Sequence, residues 1–253
     1  MPAWLVLICC AALAAQAETP PWPDLEGEWA SVQVLVATAE LPLLGSITIH
    51  TVIGALTLVT QSGSQLILED RYCFTQATPS TWLFRTQIPD LVMQSISPPP
   101  RQVTLRLVDC DLRFEQGWHT EVRGAVLADP ARDALPIEPD DPRVVDLDGD
   151  GHPGMTIHAS VLGVMNGQCY AVQRYRYALD GTVFDANTIV GFVDWTSEQN
   201  VLEATHALFL EPFSDGSHPD RSSHRFLMMR TDGSWTCDTL REHLQEMVQL
   251  LDF

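Results

Sequence analysis

The sequence contains no lysine. Its 14 cationic side chains are all arginine, set against 33 carboxylates, and the formal net charge is -19. Nucleic acids and anionic membranes require a cationic surface, so neither is expected as a partner. Long apolar runs are missing as well. The stretch from Trp4 to Ala15 is too short to span a bilayer, and no later segment reaches about 18 apolar residues. There is no G-x-S-x-G elbow, P-loop, H-E-x-x-H or G-x-G-x-x-G, which removes the sequence arguments for the common catalytic machineries. No cysteines are spaced C-x-x-C, so a zinc ribbon or thioredoxin-like centre has no support. Helical periodicity sustained over three turns is absent before residue 238, apart from a short turn at Asp90 to Gln94.

The N-terminus supplies a compartment. Residues 1–17 carry no charged side chain, and Ala15-Gln16-Ala17 closes the apolar run as an A-x-A cleavage site, so this segment reads as a secretory signal. The protein is therefore expected to be secreted or periplasmic. Beyond the signal lie Cys73, Cys110, Cys169 and Cys237. An even number in an oxidising compartment predicts two disulfides, with three connectivities open. Residues 18–253 are enough for one sizeable core and are read as a single β-rich domain.

Alternation of apolar and polar residues dominates. Val32, Val34 and Val36 share a face, as do Ile47 and Ile49, Leu56 and Leu58, Leu66 and Leu68, and Val103 and Leu105. Gly45, Gly54 and Ser62-Gly63-Ser64 are expected as turns between these runs. Residues 129–143 hold four prolines and a dense set of acids, and read as a crossing segment. The alternation then resumes at Met155, Ile157 and Ala159, with Asp180-Gly181 expected as a hairpin turn. The fold class that follows is all-β: an antiparallel sandwich or barrel of about ten or more strands. The C-terminus differs. Leu240, Leu244, Met247, Val248 and Leu251 recur at helical spacing, and Thr239 with Glu242 makes a capping box, predicting an amphipathic helix over 239–252.

One segment has a spacing that specifies chemistry. Asp146, Asp148 and Asp150 alternate and are followed by Gly151, with the carbonyl of His152 next in line. Calcium takes six to eight oxygens from carboxylates, carbonyls and water, and this order resembles the first half of the D-x-D-x-D-G loop of EF-hands and of bacterial secreted calcium-loop proteins. The resemblance implies calcium held by Asp146, Asp148, Asp150 and the His152 carbonyl. The bidentate glutamate of an EF-hand is replaced by Ile157, and strand-like rather than helical sequence follows. Glu138, Asp140, Asp141 and Asp180 are candidates for the missing ligands.

A second, shorter resemblance is Gly27-Glu28-Trp29 before a strand, similar to the G-x-W with which lipocalins open their barrel. It implies a Trp29 that plugs one end and a small apolar ligand carried inside. Asp215, His218, Asp220 and His224 form a polar cluster that a metal or an acid–base pair would need, but Gly216 and Pro219 mark it as a loop. Three functions follow: an exported non-catalytic protein, structural or binding, stabilised by a calcium loop; a lipocalin-like carrier of a small apolar ligand; and an extracytoplasmic hydrolase, for which no catalytic residue stands out.

Overall fold

A computed structural model describes residues 22–41, 45–210 and 215–251. The predicted signal over 1–17 and the last predicted helical residue, 252, lie outside the described residues. Among the described residues, eleven strands form one antiparallel sheet: β1 (Gly27–Leu41), β2 (Gly45–Ser62), β3 (Gln65–Pro79), β4 (Phe84–Gln87), β5 (Arg101–Val108), β6 (Asp111–Arg123), β7 (Met155–Val161), β8 (Met165–Asp185), β9 (Thr188–Ala204), β10 (Asp215–Ser217) and β11 (Arg225–Arg230). Helix α1 (Asp90–Ser95) follows β4, and α2 (Cys237–Gln249) ends the described chain. The expected all-β class with a C-terminal amphipathic helix is what the structure shows, and between sandwich and barrel it is a barrel.

The ring runs β1-β2-β3-β5-β6-β8-β9-β11 and returns to β1, because β8 pairs with β9 as well as with β6. These eight strands follow one another in chain order, the up-and-down arrangement that removes exposed sheet edges. β7 and β4 extend the sheet beside the first half of β8, and β10 pairs with the end of β1. The period of two decides what lies inside. Along β1, Trp29, Leu35, Ala37 and Ala39 face the interior, whereas Ala30 and Val32 face outward beneath α2.

One end of the barrel is filled. Trp29 is fully buried, its indole N–H donates to the Leu25 carbonyl at 3.0 Å, and the Arg230 guanidinium lies 5.1 Å above the ring. Arg230 also donates to the Glu26 carbonyl at 2.7 Å and to the Asp24 carbonyl, stapling the lead-in segment across that end. Leu66, Leu68, Val103, Phe114 and Phe226 complete the plug.

Two expected turns prove to be strand interiors. Gly54 sits within β2 at a bulge, where a Cβ would come 2.5 Å from the Phe74 ring. Gly181 sits within β8, where a Cβ would meet Phe226 at 2.7 Å. Both glycines are set by close approach, and the β8–β9 turn comes later, at Ala186-Asn187.

Helix α2 buries Leu240, Leu244, Met247 and Leu251 against Val32, Leu56, Phe74 and Leu227 on the outside of the barrel. It starts earlier than the predicted capping box: Thr236 is the cap, accepting from the Thr239 N–H at 3.2 Å. The disulfide Cys73–Cys237 ties that first turn to β3. The expected second disulfide is absent. Cys110 is exposed in the β5–β6 turn and Cys169 is buried in β8. The register Arg113↔Thr182 puts Cys110 beside the far end of β8 from Cys169, out of reach for a bond that needs closely spaced Cα atoms.

The crossing segment lies against the outside of β8 and β9. Arg174 donates to the carbonyls of Pro130 (2.8 Å) and Asp133 and pairs with Glu198 at 2.6 Å, while Asn200 donates to the Pro136 carbonyl at 3.0 Å. Ala125, Leu127 and Leu135 pack on Val172 and Leu202. This packing delivers the aspartate loop to the start of β7.

Candidate functional site

The aspartate loop is stitched between Gly124, at the end of β6, and Gly154, before β7. The Val145 N–H donates to the Gly124 carbonyl, the Gly154 N–H to the Val145 carbonyl, both at 3.0 Å, and Leu147 N–H to the Gly154 carbonyl at 2.8 Å. Gly149 (φ 72°) and Gly151 (φ 88°) take the left-handed turns that fold the segment back on Asp146. Asp146 then accepts from the N–H groups of Gly149 (2.8 Å), Asp150 (3.2 Å) and Gly151 (2.9 Å). Asp150 accepts from the His152 N–H at 2.9 Å and the Thr156 hydroxyl at 2.7 Å. Burial works against its charge, but these two hydrogen bonds outweigh that and hold its carboxyl below the usual carboxylate range.

Asp146, Asp148 and Asp150 each offer a carboxylate oxygen within 4.8 Å of the others, a cluster able to bind a metal ion. Asp148 contributes a buried Oδ1 with no hydrogen-bond partner, an acceptor that a cation would satisfy. The ring of His152 stacks on Tyr170 at 4.0 Å and its Nδ1 lies 4.0 Å from Glu203, anchoring the loop to β8 and β9. The other candidate acids stand outside the cluster. Asp141 is engaged by Arg143 at 2.7 Å, which lowers its carboxyl to about 2, and Asp180 is held by Arg113 and Arg221.

The barrel interior holds a second constellation, which the sequence reading passed over. Above the apolar plug lies a belt of buried polar groups. Arg101 makes two bonds to Asp70 (2.6 and 2.8 Å) and one to Gln116 at 2.6 Å. Glu121 accepts from the Tyr72 hydroxyl (2.7 Å), the Tyr177 hydroxyl (3.3 Å) and Arg123 Nη2 (3.0 Å). Arg123 Nη1 donates to Gln173 at 3.0 Å, and its guanidinium sits over the rings of Tyr72 (5.4 Å) and Tyr175 (5.1 Å). Burial disfavours the charge on both arginines, but Asp70 beside Arg101 and Glu121 beside Arg123 more than offset this and hold both guanidinium groups above their ordinary range. Burial and the Glu121 charge hold the Tyr72 phenol protonated far above its ordinary range.

Beyond this belt, at the end opposite Trp29, the interior opens into a cavity of about 170 Å³. Its walls include Ile49, Ile53, Ala77 and Ile157, and its polar lining includes Arg123, Gln173 and Ser197. Phe84 of β4, Ile88 between β4 and α1, and Met93 of α1 also line it.

The His218–His224 segment does not form a metal site. His224 is buried, and its Nδ1 accepts from the Val36 N–H (3.1 Å) and the Trp195 indole (3.2 Å). Its Nε2 lies 2.8 Å from the His218 carbonyl and 3.0 Å from the Ser217 hydroxyl. His218 Nδ1 accepts from the Asp220 N–H at 3.2 Å, and the Asp220 carboxylate caps the turn that follows. These side chains close a loop on the barrel wall.

No helix among the described residues is long and apolar enough to cross a membrane. Comparison with protein-family models, with curated proteins and with solved structures finds no match.

Proposed function

We propose that the protein is an exported binding protein whose barrel takes a small, largely apolar ligand in the cavity opposite Trp29, with calcium clipped into the aspartate loop as a stabiliser. The observation that carries the reading is the asymmetry of the interior. One end is packed solid by Trp29 and its neighbours, and the other keeps about 170 Å³ of space. An engineered apolar cavity of roughly 150 Å³ accepts benzene, so this space fits a single-ring compound. An eight-stranded up-and-down barrel holding one small ligand is the arrangement of lipocalins. The Trp29 plug supports that comparison. The Cys73–Cys237 disulfide supports an oxidising compartment, and hence export.

Calcium is the favoured ion for the loop because every ligand on offer is a hard oxygen. Three carboxylates and a carbonyl fall short of full coordination, so water completes the shell and the affinity is about 0.1 to 1 mM. The test of the ligand reading is a thermal-shift series with single-ring compounds on the calcium-loaded protein. A rise in melting temperature that the cavity-filling variant Ala77→Leu abolishes supports it; no rise with any compound would falsify it.

A further inference from the structure

Arg123 is almost fully buried, 4% exposed, yet one of its donors is unmatched. Its Nη atoms are committed to Glu121 and Gln173, whereas its Nε–H is shielded from solvent and has no acceptor in the protein. Buried donors are nearly always paired, and an orphan carries a desolvation penalty. The same residue lines the cavity. We propose that the missing acceptor comes from the ligand: a neutral compound of single-ring size bearing a carbonyl-type oxygen, which receives the Arg123 Nε–H while its ring lies among Ile49, Ile53, Ala77 and Ile157. This rests on the cavity being a ligand site.

Neutrality follows from the interior charges. Arg101 and Arg123 are offset by Asp70 and Glu121, each within hydrogen-bond distance of its partner. A carboxylate ligand would bring an uncompensated negative charge into this balanced belt. The one further titratable base beside it, His119, is kept from protonating chiefly by burial, so it does not supply the missing positive charge. A bare carbonyl oxygen suits the Arg123 Nε–H because it accepts without bringing a proton of its own to satisfy.

The test is calorimetric titration of the full calcium-loaded chain with three probes of similar size: acetophenone, ethylbenzene and benzoate. A hydrogen bond from a buried charged donor predicts that acetophenone binds about tenfold to a hundredfold more tightly than ethylbenzene, with benzoate weaker than acetophenone. In nitrogen-15 spectra the Arg123 Nε–H resonance moves with acetophenone and not with ethylbenzene. Arg123→Lys keeps a cation opposite Glu121 but lacks this donor, and is expected to bring the acetophenone-to-ethylbenzene ratio close to one. Equal binding of these two probes by the native protein overturns the anchor and leaves the apolar site standing. Tighter binding of benzoate overturns the neutral class, and no binding of any probe overturns both readings. The matched-probe comparison needs no variant, so it decides even if Arg123→Lys does not fold.

Discussion

The two ends of the barrel are built from the same eight strands with the same inward alternation, yet they are filled in opposite ways. At the Trp29 end the inward positions carry large side chains: Leu66, Leu68, Phe114 and Phe226. Where these crowd, the facing strands retreat to glycine at 181 and 191, each with a Phe226 ring atom at 2.7 Å from where a Cβ would stand. At the other end the inward positions include the smaller Ala37, Thr51, Thr75, Ala77 and Ser197, and the space they leave is part of the cavity. Between the two, Asp70, Arg101, Glu121 and Arg123 form the polar belt. One end is plugged by large side chains, and the other keeps unfilled volume and an unmatched donor.

The contrast can be broken most severely at the plug. Trp29→Ala should cost about 3–5 kcal/mol in urea unfolding, the range for large aromatic truncations in a packed core. A loss below about 1 kcal/mol would show that the end is not packed as described. A smaller effect tests crowding directly. Gly181→Ala, forced against Phe226 and the Val190 carbonyl, should destabilise by about 1–3 kcal/mol. Ala77→Val, which adds volume at the cavity end, should cost less than about 1 kcal/mol. Equal costs at the two positions would erase the distinction between the ends.

The aspartate loop adjoins the cavity end, since it is tied to Gly124 directly after Arg123. At about 1 mM free calcium and a dissociation constant near 0.1 mM, binding should add about 1.4 kcal/mol. That corresponds to a melting temperature higher by roughly 3–6 °C for a chain of this size. Asp148→Ala with Asp150→Ala should remove the rise, and an unchanged melting curve for the native protein would rule calcium out.

The smallest effect is titrational. Burial, opposed by Glu121 and reinforced by Arg101, sets the pKa of His119 below 6.5. The unfolded chain therefore takes up a proton near pH 6.5 that the native state takes up only at lower pH. Stability is full above the unfolded value, falls as pH drops through it, and levels off below the native value. His119→Gln should flatten that slope between about pH 7.5 and 5.5. An unaltered slope would mean that other groups produce it.

Much of the frame is legible in the residues. Alternation identifies the strands, and the helical spacing of Leu240, Leu244, Met247 and Leu251 marks the buried face of α2. The order of Asp146, Asp148, Asp150 and Gly151 marks a folded-back carboxylate cluster. Other features are hidden for physical reasons. A glycine that turns the chain and one that makes room for a ring look alike, so Gly54 and Gly181 read as turns until Phe74 and Phe226 are in place. The pairing of Cys73 with Cys237 depends on where α2 docks, which no local spacing encodes. The polar belt is the deepest case. His119, Glu121 and Arg123 alternate as a solvent-facing strand would, and only closure of the ring turns that face inward. The bulge between Gln116 and His119 adds a phase shift that breaks the pattern in the sequence.

The end opposite Trp29 is proposed as a built ligand site, and the Trp29 end is not. Methyl-detected NMR of the native protein titrated with acetophenone tests it most directly. Shifts are expected at Ile49, Ile53, Ile157 and Met93, with Leu66, Leu68, Val103 and Leu105 unmoved. Shifts of equal size at both ends, or none at the cavity methyls, would contradict it.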